Sequence, residues 1–331
     1  LQLGFTQAIR RPLFLDTIIT LTMNPTIDLG LEVEQLAPDR KLRSSTVRRE
    51  PGGGGINVAR GIRKLGGEAC ALFVGDKAIG GQIEDFLGAE GVPCRRLPVA
   101  AATREAFSVQ VKDSGDLFHF VLPGPELGEE EIAQVMDAVL SADRAPRYLV
   151  ASGSLPPGVE DDFYGRLATK LHDQGTRLVL DSHGAPLQAA LEAGVYLIKP
   201  NLREFGELTG ETPEDETQAR AQSRDIVNRY RLEVLVLTLG SKGALLTTAK
   251  EQLRMYPPET RTVSPVGAGD SFLAACVFEL ARDATLADAL KSGVAAAAAA
   301  VQTPGTELFE IDEYRRIREQ TGERPAVANH Q

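Results

Sequence analysis

The chain has 331 residues, of which 43% are hydrophobic and 25% charged, so it can form the large core of an ordinary globular protein. Its 36 basic and 46 acidic residues give a net charge of −10, which argues against nucleic acid or an anionic membrane as the main partner. The three cysteines, Cys70, Cys94 and Cys276, contain no CxxC pair, so neither a disulfide framework nor a zinc site is predicted.

The N-terminal segment does not have the pattern of a secretion signal. Arg10 and Arg11 precede an apolar stretch, but Asp16 breaks that stretch, which then leads into a strand pattern. No window approaches the ~20 apolar residues that a membrane span needs. We therefore predict a cytoplasmic protein.

Short β-branched runs alternate with longer amphipathic segments, which predicts an α/β fold with a mostly parallel sheet covered by helices. The predicted strands, in chain order, are 17–22, 69–74, 148–152, 177–181, 196–199 and 234–238. The predicted helices are 57–65, 79–90, 129–141, 161–174 and 217–228. We expect one domain over residues 1–331.

Two stretches, about 29–50 and 104–122, interrupt this alternation of strands and helices, because each has the pattern of alternating strands. The second reads as a hairpin that turns at Asp113, Ser114 and Gly115. Because neither stretch fits a parallel core strand, we predict that both form a small β-sheet lid.

The C-terminal third is predicted to be helical and contains six consecutive alanines between Val294 and Val301. Such a helix allows a neighbouring helix, or a flat ligand, to approach closely.

The strongest chemical pattern is the sequence PVGAGDS, which immediately precedes an apolar helix. Gly267, Ala268 and Gly269 can direct successive N–H groups toward an anion at the helix N-terminus, and Asp270 places a carboxylate beside them. A glycine turn with Asp as helix cap is the structural alternative. A P-loop and a GxGxxG fingerprint are both missing from the sequence.

Two further patterns suit a ligand site. Residues 52–55 are four consecutive glycines that lead into a helix, as expected where a ligand lies against bare backbone; a flexible loop is the alternative. Asn201 and Glu204 follow a strand at spacing i, i+3 and could offer oxygens to hydrated Mg²⁺, or could simply form a capping box.

The sequence resembles the ribokinase-like carbohydrate kinases, and above all their phosphofructokinase B (PfkB) subfamily, in the order and spacing of six motifs. These motifs are GGGGINVAR, SGSLPPGV, LVLDS, KPNxxE, LTLGSKGA and VGAGDSF. The resemblance covers about residues 17–313. It implies a central α/β domain with a β lid, and phosphoryl transfer from MgATP to the C1 hydroxyl of fructose 6-phosphate.

The resemblance also implies roles for particular residues. Asp270 resembles the general base, with Gly267, Ala268 and Gly269 as the anion hole. The substrate-binding positions are Asp28, Lys41, Arg43, Gly53, Gly54, Asn57, Arg104 and Ser154, with Lys41 and Arg104 on the 6-phosphate and Arg43 reaching a neighbouring subunit. The nucleotide and metal positions are Asp181, Lys199, Asn201, Glu204, Thr238, Gly240 and Gly243, with Asn201 and Glu204 on Mg²⁺.

One position departs from the family pattern: Pro265 stands where Thr is usual, so a hydroxyl and an N–H are missing beside the anion hole. The missing groups could change how the protein contacts the nucleotide and K⁺, a further ion that the resemblance suggests. A homodimer that pairs through the lid is also expected.

The alternatives are 1-phosphofructokinase or tagatose-6-phosphate kinase activity. A non-catalytic sugar-phosphate sensor and a dinucleotide oxidoreductase are alternatives of other classes. The uninterrupted glycines and the KLR sequence resemble 6-phosphofructokinases more than 1-phosphofructokinases or tagatose-6-phosphate kinases. The missing GxGxxG fingerprint disfavours the oxidoreductase.

Overall fold

The computed structural model describes residues 18–44, 47–141, 145–305 and 307–323. Its strands are β1 (Ile18–Thr22), β2 (Thr26–Val33), β3 (Val47–Gly52), β4 (Cys70–Gly75), β5 (Cys94–Pro98), β6 (Arg104–Val111), β7 (Leu117–Val121), β8 (Tyr148–Ser152), β9 (Arg177–Asp181), β10 (Leu197–Ile198), β11 (Val234–Thr238), β12 (Ala244–Thr247) and β13 (Gln252–Met255). Its α-helices are α1 (Gly54–Lys64), α2 (Ile79–Ala89), α3 (Glu129–Leu140), α4 (Phe163–Asp173), α5 (Gly184–Ala193), α6 (Leu202–Thr209), α7 (Glu216–Tyr230), α8 (Ala268–Ala281), α9 (Leu286–Ala300) and α10 (Ile311–Gln320).

The main sheet has nine strands in the order β13-β12-β11-β10-β9-β8-β1-β4-β5. The strands from β5 to β11 run parallel, whereas β12 and β13 are antiparallel additions at one edge. The predicted α/β fold class is therefore confirmed. In such a sheet the carboxyl ends of the parallel strands share one edge, which is where open α/β sheets bind ligands.

Both faces of this sheet are covered by helices, because successive residues of each buried strand point to opposite sides. In β8, Tyr148 and Val150 belong to one apolar cluster, with Phe272 and Val277 of α8. Leu149 and Ala151 belong to the other cluster, with α4. The two clusters hold the strand ends of the main sheet in fixed positions.

A separate four-stranded sheet, the predicted lid, has the order β3-β2-β6-β7. Its β2 pairs antiparallel with β3 and parallel with β6, and β6 and β7 form the predicted hairpin, with Gly115 at φ 76° in the turn. Alternation along β2 and β3 places Thr26, Asp28 and Glu50 on one face of this small sheet. This face thus carries polar side chains from both strands.

The element predictions were incomplete. Within the stretch from 29 to 50, which was predicted as alternating strands, residues 34–44 form a loop between β2 and β3. The strands β5, β12 and β13 and the helix α5 were not predicted. In the edge strand β5, the charged residues Arg95 and Arg96 replace an apolar run.

The alanine-rich helix α9 is explained by helix packing. Ala295, Ala296 and Ala299 are buried in a cluster with Phe309 of the C-terminal loop and Tyr314 of α10. Small side chains allow α8 and α10 to approach α9 closely, so a flat ligand is not needed to account for them. In the described part of the chain, the helices are all too short or too polar to cross a membrane. The N-terminal segment, including Arg10 and Arg11, lies outside the described residues.

Candidate active site

The glycine run from 52 to 55 is packed tightly against protein atoms. A Cβ on Gly52 would lie 2.3 Å from Asp28 Oδ2, and a Cβ on Gly54 would lie 2.0 Å from Ser152 Oγ. Gly53 has a φ of 113°, which disfavours any other residue. The glycines are therefore required to bring the lid strand β3 and helix α1 against the strand ends, a structural demand that exists without any ligand.

This packing predicts a stability effect at Gly55, where a Cβ would lie 2.6 Å from the backbone oxygen of Leu21 in the central strand. We expect Gly55→Ala to lower the free energy of unfolding by about 1 to 3 kcal/mol through overpacking. Gly88→Ala in α2 is the matched control, because its Cβ would meet no atom within 4 Å. The control should gain up to about 1 kcal/mol of helix propensity. Urea unfolding measures both, and equal stability of the two variants would contradict this account.

Asp270 lies in the first turn of α8, directly after the glycine turn. The helix begins after Gly267, which has a φ of 75°, and no side chain among the described residues caps it. The first N–H groups of an α-helix have no partner within the helix, so this N-terminus can bind an anion. Asp270 accepts a hydrogen bond from Asn57 Nδ2 of α1 at 2.9 Å.

Burial raises the pKa of Asp270 to about 7. The hydrogen bond from Asn57 and the charge of Lys199 lower it, whereas the negative charges of Asp181 and Asp28 raise it. A carboxylate with a pKa near neutrality is suited to accept a proton from a hydroxyl group at physiological pH.

Lys199 and Asp181 form a buried ion pair on the core side of the glycine turn, with 3.2 Å between Nζ and Oδ1. Burial alone would lower the pKa of Lys199, but the charges of Asp181, Asp270 and Glu204 raise it above its usual value. A Cβ on Gly269 would lie 3.3 Å from Lys199 Nζ, so the glycine leaves this cation close to the turn. The cation can therefore act on an anion held there.

The lid contributes Asp28 and Arg104 from adjacent strands. Burial is the main cause that raises the pKa of Asp28 to about 6, and the charge of Glu50 raises it further, while Arg104 and Arg60 oppose this rise. The Arg104 guanidinium donates to the backbone oxygen of Asn24 at 3.0 Å, and burial lowers its pKa. The lid therefore presents both an acid and a cation.

Two buried polar atoms near Arg104 have no hydrogen-bond partner among the described residues, Arg104 Nε and Asn24 Oδ1. Asn24 Nδ2 donates to Ser154 Oγ at 3.1 Å and the Asn24 backbone oxygen accepts from Arg104, so Asn24 connects a lid cation with a predicted sugar-binding residue. Buried polar groups are almost always paired in native proteins. Orphaned donor and acceptor atoms at this position fit a polar ligand with hydroxyl and phosphate groups.

Asn201 and Glu204 form a capping box at the start of α6. Asn201 Oδ1 accepts from the Glu204 N–H at 3.0 Å, and Glu204 Oε2 accepts from the Asn201 N–H at 3.0 Å. Both residues therefore have a structural role in the chain alone, as the capping interpretation predicted. The second carboxylate oxygen of Glu204 lies 3.5 Å from Arg203 at the helix surface.

The turn that contains Gly240 and Gly243 follows β11, and its shape depends on close packing. A Cβ on Gly243 would lie 2.1 Å from the backbone oxygen of Met255. Arg254, which is buried, donates to the backbone oxygens of Lys242, Ala244 and Met255 and so fixes the turn. Thr238, at the end of β11, donates to the Pro200 oxygen and adjoins Asn201.

Most predicted site residues lie at the carboxyl edge of the main sheet or on the polar face of the lid. Lys41 and Arg43 do not: they are exposed in the coil between β2 and β3, with no hydrogen bond or ion pair to another described residue. The assignment of Lys41 to the 6-phosphate and of Arg43 to a neighbouring subunit's site stays a prediction. Sequence reasoning missed Asn24 and Arg60, although Asn24 lies in the same MNPTID stretch as Asp28, and Arg60 follows Asn57 by three residues.

The chemistry of these residues fits a magnesium nucleotide. The open N-terminus of α8 and the Lys199 cation would hold phosphate groups, and the Gly240–Gly243 turn exposes backbone beside them. No cluster of three or more acidic, histidine or cysteine side chains suited to a metal occurs in the described ranges, as is usual where Mg²⁺ is bound largely through phosphates and water.

An open α/β sheet with a small separate sheet beside it, and a buried carboxylate at a helix N-terminus near the strand ends, is the architecture of the ribokinase-like class. Arabidopsis thaliana ribokinase shares the fold, with a TM-score of 0.73 at 20% identity over 91% of this chain and 98% of that one. A family model described as pfkB family carbohydrate kinase matches residues 18–312. The chain belongs to the PfkB family, as its motifs predicted.

Two relatives are much closer. The ATP-dependent 6-phosphofructokinase isozyme 2 of Mycobacterium tuberculosis H37Rv is 41% identical over 314 residues, which cover 95% of this chain and 92% of the relative. Escherichia coli phosphofructokinase-2, solved with potassium, is 38% identical with a TM-score of 0.87, covering 92% of this chain and 98% of the other. That protein has also been solved with fructose 6-phosphate and in a tetrameric inhibited form.

Proposed function

We propose that this protein is an ATP-dependent 6-phosphofructokinase, which transfers the γ-phosphoryl group of ATP to the C1 hydroxyl of fructose 6-phosphate. The observation that carries the proposal is the position of Asp270, hydrogen-bonded to Asn57 at an uncapped helix N-terminus between Lys199 and the lid. The names of the relatives that cover nearly the whole chain support the same reaction.

In the proposed reaction, Asp270 accepts the proton of the attacking hydroxyl. The N–H groups of the Gly267–Gly269 turn and the first helical turn stabilise the charge on the transferring phosphoryl group, with Lys199 behind them. Asn201 and Glu204 would hold the Mg²⁺ ion through its waters, and the ion would supply positive charge that neutralises the phosphate groups. Positioning and electrostatics supply most of the acceleration in such reactions.

The sugar phosphate is proposed to bind between the lid and the strand ends. Asp28, Asn57 and Ser154 would contact hydroxyl groups, and Gly53 and Gly54 would form the floor. Arg104 would bind the 6-phosphate, with Lys41 from the coil after β2 and Arg43 from a neighbouring subunit. We propose the four-stranded sheet as a lid whose closure excludes water and so prevents wasteful ATP hydrolysis.

The nucleotide is proposed to bind along the sheet edge that carries Asp181, Lys199, Asn201, Thr238, Gly240 and Gly243. Glu204 and Asn201 would hold waters of the Mg²⁺ ion. K⁺ is proposed as an accessory ion, since the E. coli relative has been solved with potassium. Pro265 is the position at which this chain would differ in K⁺ dependence, because it lacks the hydroxyl and the N–H of the usual Thr.

We propose a cytoplasmic homodimer that pairs through the lid. Apolar side chains are exposed on the lid strands and beside them, which suits a surface covered by a second copy: Val47, Phe118, Phe120, Val121 and Leu122. Sedimentation velocity tests this assembly.

A comparison of sugar phosphates tests the proposed substrate. With MgATP, we expect kcat/KM for fructose 6-phosphate to exceed the values for fructose 1-phosphate and tagatose 6-phosphate, and ADP to be released with the product. A higher value for either competitor would reassign the substrate within the same family. Absence of ADP release with every sugar phosphate would favour a non-catalytic sensor instead.

A further inference from the structure

Arg60 lies on α1 and is only 5% exposed, although it is not among the predicted ligand-binding residues. Its guanidinium donates to both carboxylate oxygens of Glu90, at 2.8 Å each. It also donates to the backbone oxygen of Pro51 and to Asn57 Oδ1, at 3.3 Å each. A buried cation is costly unless its donors are paired, so this set of partners fixes the guanidinium in one place.

The hydrogen bond to Asn57 determines which way the Asn57 amide points. Arg60 has donors only, so it can face the amide oxygen but not the amide NH₂ group. With Oδ1 turned toward Arg60, Nδ2 is directed at Asp270 Oδ2, to which it donates at 2.9 Å. If the amide were rotated, its oxygen would face the Asp270 carboxylate, which is electrostatically unfavourable.

The other two partners tie Arg60 to separate elements. Pro51 lies in lid strand β3, one residue before the glycine run, and Glu90 is the C-cap residue of α2 in the main domain. Because Asn57 and Arg60 are three residues apart, they lie on one face of α1. Arg60 therefore connects the lid, the main domain and the residue that contacts Asp270.

We propose that Arg60, held by Glu90, is a positioning residue for the phosphoryl-transfer reaction: it orients the Asn57 amide toward Asp270 and fixes the end of lid strand β3 beside that base. The inference rests on the proposed function for its catalytic consequence. The orientation of the Asn57 hydrogen bond to Asp270, which is the structural part of the inference, follows from the contacts of Arg60 and does not require the proposed function.

The expected change in Asp270 follows from the groups that face it. Asn57 of α1 donates a hydrogen bond and Lys199 after β10 carries a positive charge, and both lower the Asp270 pKa. Asp181 at the end of β9 and Asp28 of β2 raise it. Loss of the Asn57 hydrogen bond must therefore raise the pKa, so less of the base is ionised at neutral pH and the acidic limb of the rate profile moves to higher pH.

Arg60→Lys tests the proposal, because one ammonium group keeps the charge but cannot reproduce the fork that reaches Glu90, Pro51 and Asn57 together. We expect kcat to fall by about 10-fold to 100-fold, the effect of a small misplacement of a reacting group, with little change in KM for ATP. Arg63→Met, on the same helix but exposed, is the matched control and should keep wild-type kinetics. Glu90→Gln, which weakens the pair from its half-exposed side, should lower kcat in the same direction.

The titration of Asp270 provides a readout that does not depend on activity. The ¹³C signal of its carboxyl group, assigned by its loss in Asp270→Asn, should titrate at higher pH in Arg60→Lys and Glu90→Gln than in wild type and the Arg63→Met control. Wild-type kcat and an unchanged midpoint in a folded Arg60→Lys protein would overturn the proposal; if that variant does not fold, the same result in Glu90→Gln would overturn it. A wild-type protein without kinase activity would refute the proposed function, while the titration would still decide the role of Arg60.

Discussion

Replacing Asp270 by asparagine is expected to lower kcat by about 10²-fold to 10⁴-fold, the usual contribution of a general base. The amide keeps the shape of the carboxyl group at the helix N-terminus but cannot accept the hydroxyl proton. Binding of ATP should survive, because the N–H groups of the helix and the Lys199 cation are unchanged. Steady-state kinetics with fructose 6-phosphate and a direct nucleotide-binding measurement check both expectations.

Asp288→Asn is the matched control for this substitution. Asp288 is the third residue of α9, as Asp270 is of α8, but it is exposed and accepts a hydrogen bond from Thr285 within the cap. Both changes remove a negative charge from a first helical turn, which costs up to about 1 kcal/mol of stability. More than about a tenth of wild-type kcat in Asp270→Asn would show that Asp270 is not the base. A loss of the same size in Asp288→Asn would show that the effect comes from removing a charge at a helix N-terminus and not from removing a base.

The wild-type rate should depend on pH in a direction set by the same group. Asp270 must be ionised to accept a proton, and its pKa is raised to about 7 by burial. In the free enzyme, kcat/KM should therefore fall as the pH drops below about 7. Because the folded-state pKa lies above the ordinary value near 4, ionisation of this buried carboxyl group also costs stability as the pH rises through the interval between them.

The main sheet was predictable because its parallel strands are buried on both faces. Such strands are nearly continuous apolar runs, as in 148–152 and 234–238, and they are separated by amphipathic helices. The edge strand β5 was not predictable on this basis, since its Arg95 and Arg96 interrupt the apolar pattern. An edge strand has only one pairing neighbour and tolerates charge.

The site was predictable where one segment of chain carries several of its groups. The glycine turn and Asp270 are consecutive, so helix geometry places the base beside the anion-binding N–H groups. The partners of Arg60 were not predictable in this way. Helical spacing places Arg60 with Asn57, but Glu90 is thirty residues away and is brought to it only when α2 packs against β3 and β4. The reason for the glycine run was also hidden, because the atoms that exclude a Cβ belong to distant strands.

Arg104 tests the other half of the proposed site, because a protein with a net charge of −10 needs a dedicated cation to hold a dianionic sugar phosphate. Its Nε is buried without a partner among the described residues, whereas its terminal nitrogens donate to the backbone oxygens of Asn24 and Leu122. A charge-assisted hydrogen bond contributes roughly 1.5 to 3 kcal/mol, or about 10-fold to 150-fold in affinity. We therefore expect Arg104→Ala to raise KM for fructose 6-phosphate by this factor and to leave KM for ATP nearly unchanged.

Arg49→Ala is the matched control for Arg104→Ala, because Arg49 is an exposed arginine of the same lid sheet and pairs with Glu105. Alternation along β3 places it on the face opposite to Glu50, so it should not contact the substrate. Its KM values should be those of the wild type, since an exposed ion pair contributes at most about 1 kcal/mol to stability. A rise in KM for both substrates in Arg104→Ala would indicate a misfolded lid. Unchanged KM values for both substrates would refute the assignment of Arg104 to the 6-phosphate, because a phosphate contact is the only proposed reason for this side chain to affect the sugar phosphate and not ATP.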